Sequence, residues 1–472
     1  MNARNAKKKS QRRRSTARRQ KINAELLERA VAWAVNDGIF ADVALHGNVT
    51  WMPSHLVALA ILWVWSSATQ LTSAFAEAKR LSQAMFGVVA VTSYQGLTRA
   101  LIRYTEVLRP LLWQRLHHLM EACGGEHWRI GMWLPLAIDG SRVSTPRTEG
   151  NERAFASKTF GQSHKARSRK KWKSKRRRSK PLTPIKPQIW LTLLWHMGLK
   201  MPWAWRCGPS TASERGHLGE LLQALELPAK TLICGDAGFV GYELWRTILQ
   251  QGHHFLIRVG GNVRLLRKLG RCRFDADRVY LWPANAMQQG QPPIVLRLLQ
   301  FKSSRGSVFL VTSVLSSKDL TASQASRLYR LRWGIELQFR TLKQTFGRSK
   351  LRSRTPESAI VELEWSLFGL WTIQLFAIKE QIAIDLAPED CSVSLAIGVI
   401  QRAMHAWSEV GGDEALAVSL RAATKDRYRR TSSKAARFRP KKKDIPSAGR
   451  PIITTASTRQ RKVYAALDKL AA

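Results

Sequence analysis

Acidic residues are scarce in this chain: 33 Asp and Glu stand against 77 Lys and Arg in 472 residues, a formal net charge of +44. Solubility needs far less charge than that and is served better by acids, so the imbalance points to a polyanionic partner. Cysteine is scarce too. The five present, Cys123, Cys207, Cys234, Cys272 and Cys391, form no C-x-x-C pair. That argues against a disulfide framework and a zinc knuckle, and is expected of a reducing interior. Long apolar runs are missing as well. The apolar stretch LVALAILWVWSSA at residues 56–68 is too short to span a bilayer and reads as a buried helix. The opening MNARNAKKKSQRRR lacks the apolar block of a secretory signal, so a cytoplasmic, nucleoid-associated protein without membrane contact is expected.

What the chain has instead is basic charge gathered into runs. Residues 1–21 hold ten Lys or Arg and no acid, residues 165–180 hold eleven and no acid, and residues 425–443 hold ten against Asp426. Together they carry +30 of the total, leaving +14 for everything else. Runs of this density are expected to meet nucleic acid phosphates rather than to serve as plain solvated tails.

With 44% hydrophobic residues the chain can bury at least one large core. After a basic disordered arm at 1–21, residues 22–128 follow helical periods such as AELLERAVAWAV and SYQGLTRALIRYTEVL, and are read as a helical domain with possible DNA binding. Within it, AFAEAKRLSQAM, a turn at Gly87 and a second helix carrying Arg99 and Arg103 fit either a helix-turn-helix or plain bundle helices with surface arginines. From residue 129 short apolar runs alternate with helices, as in LPLAID, IWLTLLWH, SERGHLGELLQAL, TLICGDAGF and HFLIRV. This is the texture of an α/β core, read over 129–261 and 319–350 with the basic loop 165–180 inside it. Residues 262–318 read as a β-rich insertion, 351–424 as a helical C-terminal region and 425–472 as a basic tail.

Asp139 in LPLAIDGSR and Asp236 in TLICGDAGF each follow a buried strand. Either alone is more often a turn residue, but acids at strand ends of an α/β sheet converge on one edge. In RLYRLRWGIELQFRTLK, Tyr329, Arg332, Glu336 and Lys343 are spaced three, four and seven apart. On a regular helix, at about 100° per residue, they share an arc of roughly 60°. The flanking Leu331, Ile335, Leu337, Phe339 and Leu342 leave little of such a helix for solvent, so its polar face needs a partner.

The Y-x2-R-x3-E-x6-K spacing, with its LAIDG and DAGF contexts, resembles the insertion sequence 4 family of DDE transposases over about residues 130–350. The resemblance implies a ribonuclease-H-like catalytic core interrupted by the β-rich insertion. It implies that Asp139, Asp236 and Glu336 are the catalytic, metal-binding triad, and that Tyr329, Arg332 and Lys343 contact DNA near the cleaved end. It also makes Trp282 a candidate for stacking on a flipped base, against its reading as a core tryptophan. Three carboxylates without a His or Cys cluster suit two Mg²⁺ ions, with Mn²⁺ as substitute, and not zinc. The implied partners are double-stranded DNA at element ends and target, and further copies of the chain in a synaptic complex. A nuclease on the same fold, or a DNA-binding derivative, is the alternative; the derivative would be expected to have lost an acid, and all three are present.

The charge distribution makes one direct prediction. Affinity for duplex DNA should fall steeply with salt, each phosphate neutralised adding about 0.9 to the log–log slope. Removing residues 1–21 should weaken binding to any duplex. A flat response between low and physiological salt, in a filter-binding or anisotropy titration, would contradict the nucleic-acid reading.

Overall fold

The computed structural model describes residues 27–45, 47–49, 51–156, 186–270, 277–303, 306–405, 415–426 and 449–470. The basic runs 1–21 and 165–180, and 425–443 apart from Lys425 and Asp426, lie outside the described residues, as does Cys272.

The first helices are α1 over 27–34, α2 (Pro53–Trp65), α3 (Leu71–Phe86) and α4 (Tyr94–Gly124). Pro at the first position starts α2, and every residue from Leu56 to Trp65 is buried, as an all-round apolar helix requires. Gly87 ends α3 in the left-handed region, φ 66°, with its N–H on the Gln83 carbonyl. Ser93 then opens α4 by accepting the Gly96 N–H. The apolar face of α4, Leu97, Leu101, Leu108, Leu112 and Leu116, is buried, while Arg99 and Arg103 point outward.

Helices α2 and α4 pack on a helix from the other end of the chain, α11 (Pro356–Ile382). Among the described residues α11 is the one helix long and apolar enough to cross a membrane, and 94% of its most apolar 18-residue stretch is buried inside the fold as a core helix. Two acids are buried with it. Glu364 pairs with Arg109 of α4 at 2.9 Å, and Glu362 accepts the backbone N–H groups of Arg352 and Ser353. Buried carboxylates persist only with such partners.

The helices lie against a ten-stranded sheet. Its strands are β1 (Leu134–Ser144), β2 (Gln188–His196), β3 (Met201–Gly208), β4 (Thr231–Gly235) and β5 (His254–Val259). Then come β6 (Arg264–Arg267), β7 (Arg278–Leu281), β8 (Ile294–Ser303), β9 (Gly306–Thr312) and β10 (Ile452–Thr455). The order across the sheet is β10-β6-β7-β8-β9-β5-β4-β1-β2-β3. β1, β4 and β5 are parallel neighbours, joined through α6 (Glu214–Ala224) and α7 (Tyr242–Gln250), while β1–β2 and β2–β3 are antiparallel.

The strands within 262–318 continue the same sheet: β9 pairs with β5, and β8, β7 and β6 extend it, covering an edge that would otherwise expose unpaired backbone. The region 425–472 is not simply a tail. β10 pairs parallel with β6, and the following helix α14 (Thr458–Leu470) sets Tyr464 edge-on to Trp282 and Tyr280. Trp282 is buried there, with its Nε1 donating to the Gln291 carbonyl at 2.8 Å, which is the core reading of that residue.

Beside β2 and β3, two histidines lie among tryptophans, His196 buried and His117 half-buried. His117 stacks on Trp203 at 3.7 Å, and His196 on Trp128 at 5.0 Å. His196 Nε2 donates to the Trp128 carbonyl at 3.1 Å, and its Nδ1 accepts the Leu199 N–H at 2.9 Å. The neutral ring is fully satisfied and a second ring proton has nowhere to go. Burial accordingly pushes His196 down to about 3 and His117 to about 4. Both folded values lie below the unfolded one, so the stability the neutral rings contribute is complete above about pH 6.5 and is lost as pH falls toward 4. His196→Gln keeps one donor and one acceptor without titrating. In urea unfolding, the stability gap between wild type and His196→Gln should narrow by about 1–2 kcal/mol from pH 7 to pH 5; a constant gap would contradict the assignment.

Candidate active site

Residues 134–138 of β1 and 231–235 of β4 are buried on both faces, and an aspartate follows each run; Asp236 follows the end of β4, but Asp139 does not end its strand as the sequence suggested, because β1 continues past it to Ser144, paired with β2. The parallel register pairs Leu136 with Ile233 and Ala137 with Cys234, so two further steps set Asp139 beside Asp236. Each carboxylate is pinned by the backbone that follows it. Asp139 Oδ1 accepts the Gly140 N–H at 2.8 Å, and Asp236 Oδ1 accepts the Gly238 N–H at 2.7 Å, capping the short turn Ala237–Phe239.

The signature segment crosses in front of these two aspartates, but not as the single regular helix its spacing predicts. Helix α9 (Ala322–Leu331) gives way to α10 (Gly334–Arg340) and then to a π turn, Thr341–Thr345. Between α9 and α10 the N–H groups of Trp333, Ile335 and Glu336 bond three residues back, to Arg330, Arg332 and Trp333. The chain is overwound there and underwound in the π turn. Gly334 shows what permits the first change: a Cβ at this position would run into the Trp195 indole of β2, with Cζ3 and Cζ2 at 2.7 and 3.1 Å. The expected apolar flank also breaks, since Trp333 and Leu337 are 57% and 46% exposed.

The site side of this segment nevertheless meets the strands. Arg332 is buried, with Nη1 3.5 Å from Asp139 Oδ2 and its guanidinium 5.4 Å over the Tyr329 ring. Lys343 Nζ donates to Ser141 Oγ at 2.6 Å. The opposite side is anchored to α11: Gln338 and Gln374 exchange two amide hydrogen bonds of 2.9 Å. Farther on, Arg348 Nε donates to Ser366 Oγ at 2.8 Å. The structure thus brings Tyr329, Arg332, Glu336 and Lys343 to the edge that carries Asp139 and Asp236.

A fourth acid stands there that the sequence reading passed over. Glu214, first residue of α6, turns inward above Gly140. Burial, followed by Asp139 and Asp236, pushes its carboxyl up to about 7, against Arg142. Asp139 and Glu336 are raised as well, burial leading in both; Asp236 repels the first, and Asp139 and Asp236 the second. Burial raises the Tyr329 hydroxyl and lowers the Lys343 ammonium. The four carboxylates converge without closing: among the described residues no three His, Cys, Asp or Glu side chains stand close enough to hold one ion as positioned. Oxygen-only donors that repel one another suit hard divalent cations, which would offset that repulsion and draw the carboxylates together.

A family model described as "Transposase DDE domain" matches residues 134–371. The transposase InsG for insertion sequence element IS4 of Escherichia coli (strain K12) is 24% identical over 290 residues. That match spans 58% of this chain and 59% of the length of that protein. The cryo-EM structure of a piggyBac transposase synaptic complex with hairpin DNA aligns with 89% of this chain and 87% of its own, at 12% identity and a TM-score of 0.37.

The contact at Gly334 yields a test of how the signature segment is held. Gly334→Ala forces a methyl group against the Trp195 ring, and overpacking of this kind costs about 1–3 kcal/mol. Urea unfolding should show that loss, whereas Gly87→Ala, with open space around its Cβ, should show only the strain of a left-handed residue. Wild-type stability of Gly334→Ala would mean the segment is not seated on Trp195.

Proposed function

The chain belongs to the DDE transposase domain family, and from that premise we propose that it is a DNA transposase, cutting at the ends of an insertion sequence and joining the freed ends to target DNA. The observation that carries this reading is the meeting of Asp139, Asp236 and Glu336 with Arg332 and Lys343 at one sheet edge. The strand order β3-β2-β1-β4-β5, with β1, β4 and β5 parallel and β2 reversed, supports a ribonuclease-H-like core.

In this reading Asp139, Asp236 and Glu336 hold two Mg²⁺ ions, for which Mn²⁺ substitutes. When bound, they lower the pKa of the attacking water and stabilise charge on the leaving oxygen. Water oxygen bonds to phosphorus as the 3′ oxygen leaves and takes up a proton. The freed 3′ hydroxyl then attacks a target phosphodiester at the same site and displaces its 3′ oxygen. Arg332 and Lys343 hold the phosphates of the terminal DNA, Arg332 as a planar fork and Lys343 as a point charge, while Tyr329 positions the backbone through its hydroxyl. Duplex DNA, contacted also by the helical region 22–128 and the basic runs, and a second copy of the chain in the synaptic complex complete the proposal.

The decisive experiment follows cleavage and strand joining separately on one labelled element end. Asp139→Asn, Asp236→Asn and Glu336→Gln should each lower both products by at least about a thousandfold, roughly 4 kcal/mol in the transition state, while retaining DNA binding. Arg332→Lys should fall further than Lys343→Arg, because only the first replaces a planar fork. Substantial Mg²⁺-dependent cutting by any of the three acid variants would overturn the assignment. Cutting without joining by the wild type would favour a nuclease.

A further inference from the structure

We propose that the cavity between the signature segment and α11 is a nucleotide-binding site, in which a base stacks on Trp333 and its phosphate is held by Lys200, Arg330 and Arg340. The cavity lies on the flank of the segment that is anchored to α11, and none of Asp139, Asp236 and Glu336 lines it. The chemistry proposed for those acids stands or falls without it.

Two apolar side chains are out of place on this flank. Trp333 and Leu337, about one turn apart, are 57% and 46% exposed, whereas Ile335, Phe339 and Leu342 of the same segment are buried. They do not stand on a flat surface. With Trp195 of β2, Ile378 of α11 and Pro388 they wall a cavity of about 520 Å³. That volume suits a small organic ligand, whose sites are apolar with a few convergent polar groups.

The charged groups that converge here are almost all positive. Lys200, Arg330, Arg340 and Lys425 line the cavity against one acid, Glu389. Lys200 Nζ donates to the Met197 carbonyl at 2.6 Å and stands 5.6 Å from the centre of the Trp195 ring, while its own carbonyl accepts the Gln374 amide at 3.1 Å. Burial, joined by Lys425 and Arg327, pushes its ammonium down to about 8 against the pull of Glu389. The start of α12 (Val393–Met404) also lines the cavity, and no acid in its first turn offsets the positive end of the helix.

These two sets of groups together select the ligand. An apolar peptide would cover the indole and leave the cations desolvated; an inorganic anion would satisfy the cations and leave Trp333 and Leu337 in water. A nucleotide offers a planar π face and a phosphate at once, and bases are held in this way by aromatic side chains beside arginine and lysine. A second copy of this chain, at +44, does not complement the charge of the cavity. Lys425 opens the third basic run, so a nucleotide carried within a DNA strand would meet a site whose chain continues basic.

The test uses the full-length protein at physiological salt, where non-specific phosphate contacts are weak. The probes are 2-aminopurine deoxyribonucleoside monophosphate, whose fluorescence is quenched by stacking, and the same base inside a short single strand. Quenching of the free nucleotide would mark a soluble ligand, and quenching in the strand alone an unpaired nucleotide of DNA; either supports the site. Trp333→Ala should abolish the quenching and raise the Kd of the quenched probe at least about fivefold, and Trp333→Phe should restore both, since a ring remains. Arg330→Ala and Lys200→Met should raise the Kd about tenfold while leaving the quenching at saturation intact, because only the grip on the phosphate is lost. Leu395→Ala, a comparably exposed apolar residue of α12 that does not line the cavity, should behave as wild type. No quenching of either probe by the wild type, or equal quenching by a Trp333→Ala protein of unchanged Tm, would overturn the proposal. So would loss of self-association by Trp333→Ala, measured by sedimentation, with nucleotide binding intact, because the patch would then belong to a second copy.

Discussion

Mutual repulsion among carboxylates is the constraint around which this molecule is arranged. In a chain carrying +44, Asp139, Asp236, Glu214 and Glu336 are gathered at one sheet edge, where burial first and the neighbouring carboxylates second raise the proton affinity of Asp139, Glu214 and Glu336. Left to themselves, like charges this near would spread or turn to solvent. Each is delivered by an element that has no freedom to retreat. Asp139 and Asp236 sit on adjacent buried parallel strands, Glu214 on a helix bonded to β2, and Glu336 on a segment wedged against Trp195. The stiffness of the scaffold is therefore part of the chemistry, since it keeps an electrostatically unfavourable cluster in place for a counter-charge to use.

Helix α11 supplies much of that stiffness. Its buried polar groups are aimed at the signature segment and the loop after it: Gln374 at Gln338, Ser366 at Arg348, and Glu362 at the Arg352 and Ser353 backbone. The same helix takes Arg109 from α4 through Glu364 and receives the Trp65 Nε1 from α2 on the Gly369 carbonyl. The amino-terminal helices and the carboxylate edge are thus two sides of one packed body. A change in how the first is loaded can be transmitted to the second through side chains that have few alternative partners.

How much of this could be read from the residues depended on whether a residue type had a competing ordinary use. The strands that deliver Asp139 and Asp236 were legible because short buried runs stop at an acid, but the continuation of β1 through GSRVS was not, because its polar half is held by pairing with the distant β2. The spacing from Tyr329 to Lys343 was legible because polar groups recur inside an apolar helix. The overwound step at Arg332–Trp333 and the π turn were not. YRLRWGIELQF keeps a helical period throughout, and only Gly334 hints at the approach of Trp195, a long-range contact. Glu214 was missed because a Ser-Glu pair at a helix start already has a sufficient local explanation in capping and charge. β10 was missed because IITT follows a long basic run and earns its place only by pairing with a distant strand. Glu362 and Glu364 look like the polar stripe of a surface helix until both sides of α11 prove to be covered.

That pairing of β10 with β6 bears on the order in which the protein can be made. Strand β6 leaves the ribosome well before β10, and the strand that covers its free edge arrives only after the whole of the signature segment and α11 have been synthesised. Until then β6 presents unsatisfied backbone to whatever is nearby, including the same edge on another nascent chain. The sheet is completed by one of its last-made pieces. A ribosome that stops short of β10 releases a product with the carboxylate edge already encoded but one flank of the sheet still adhesive. Quality control acting on exposed strand edges could therefore distinguish finished copies from unfinished ones before either encounters DNA.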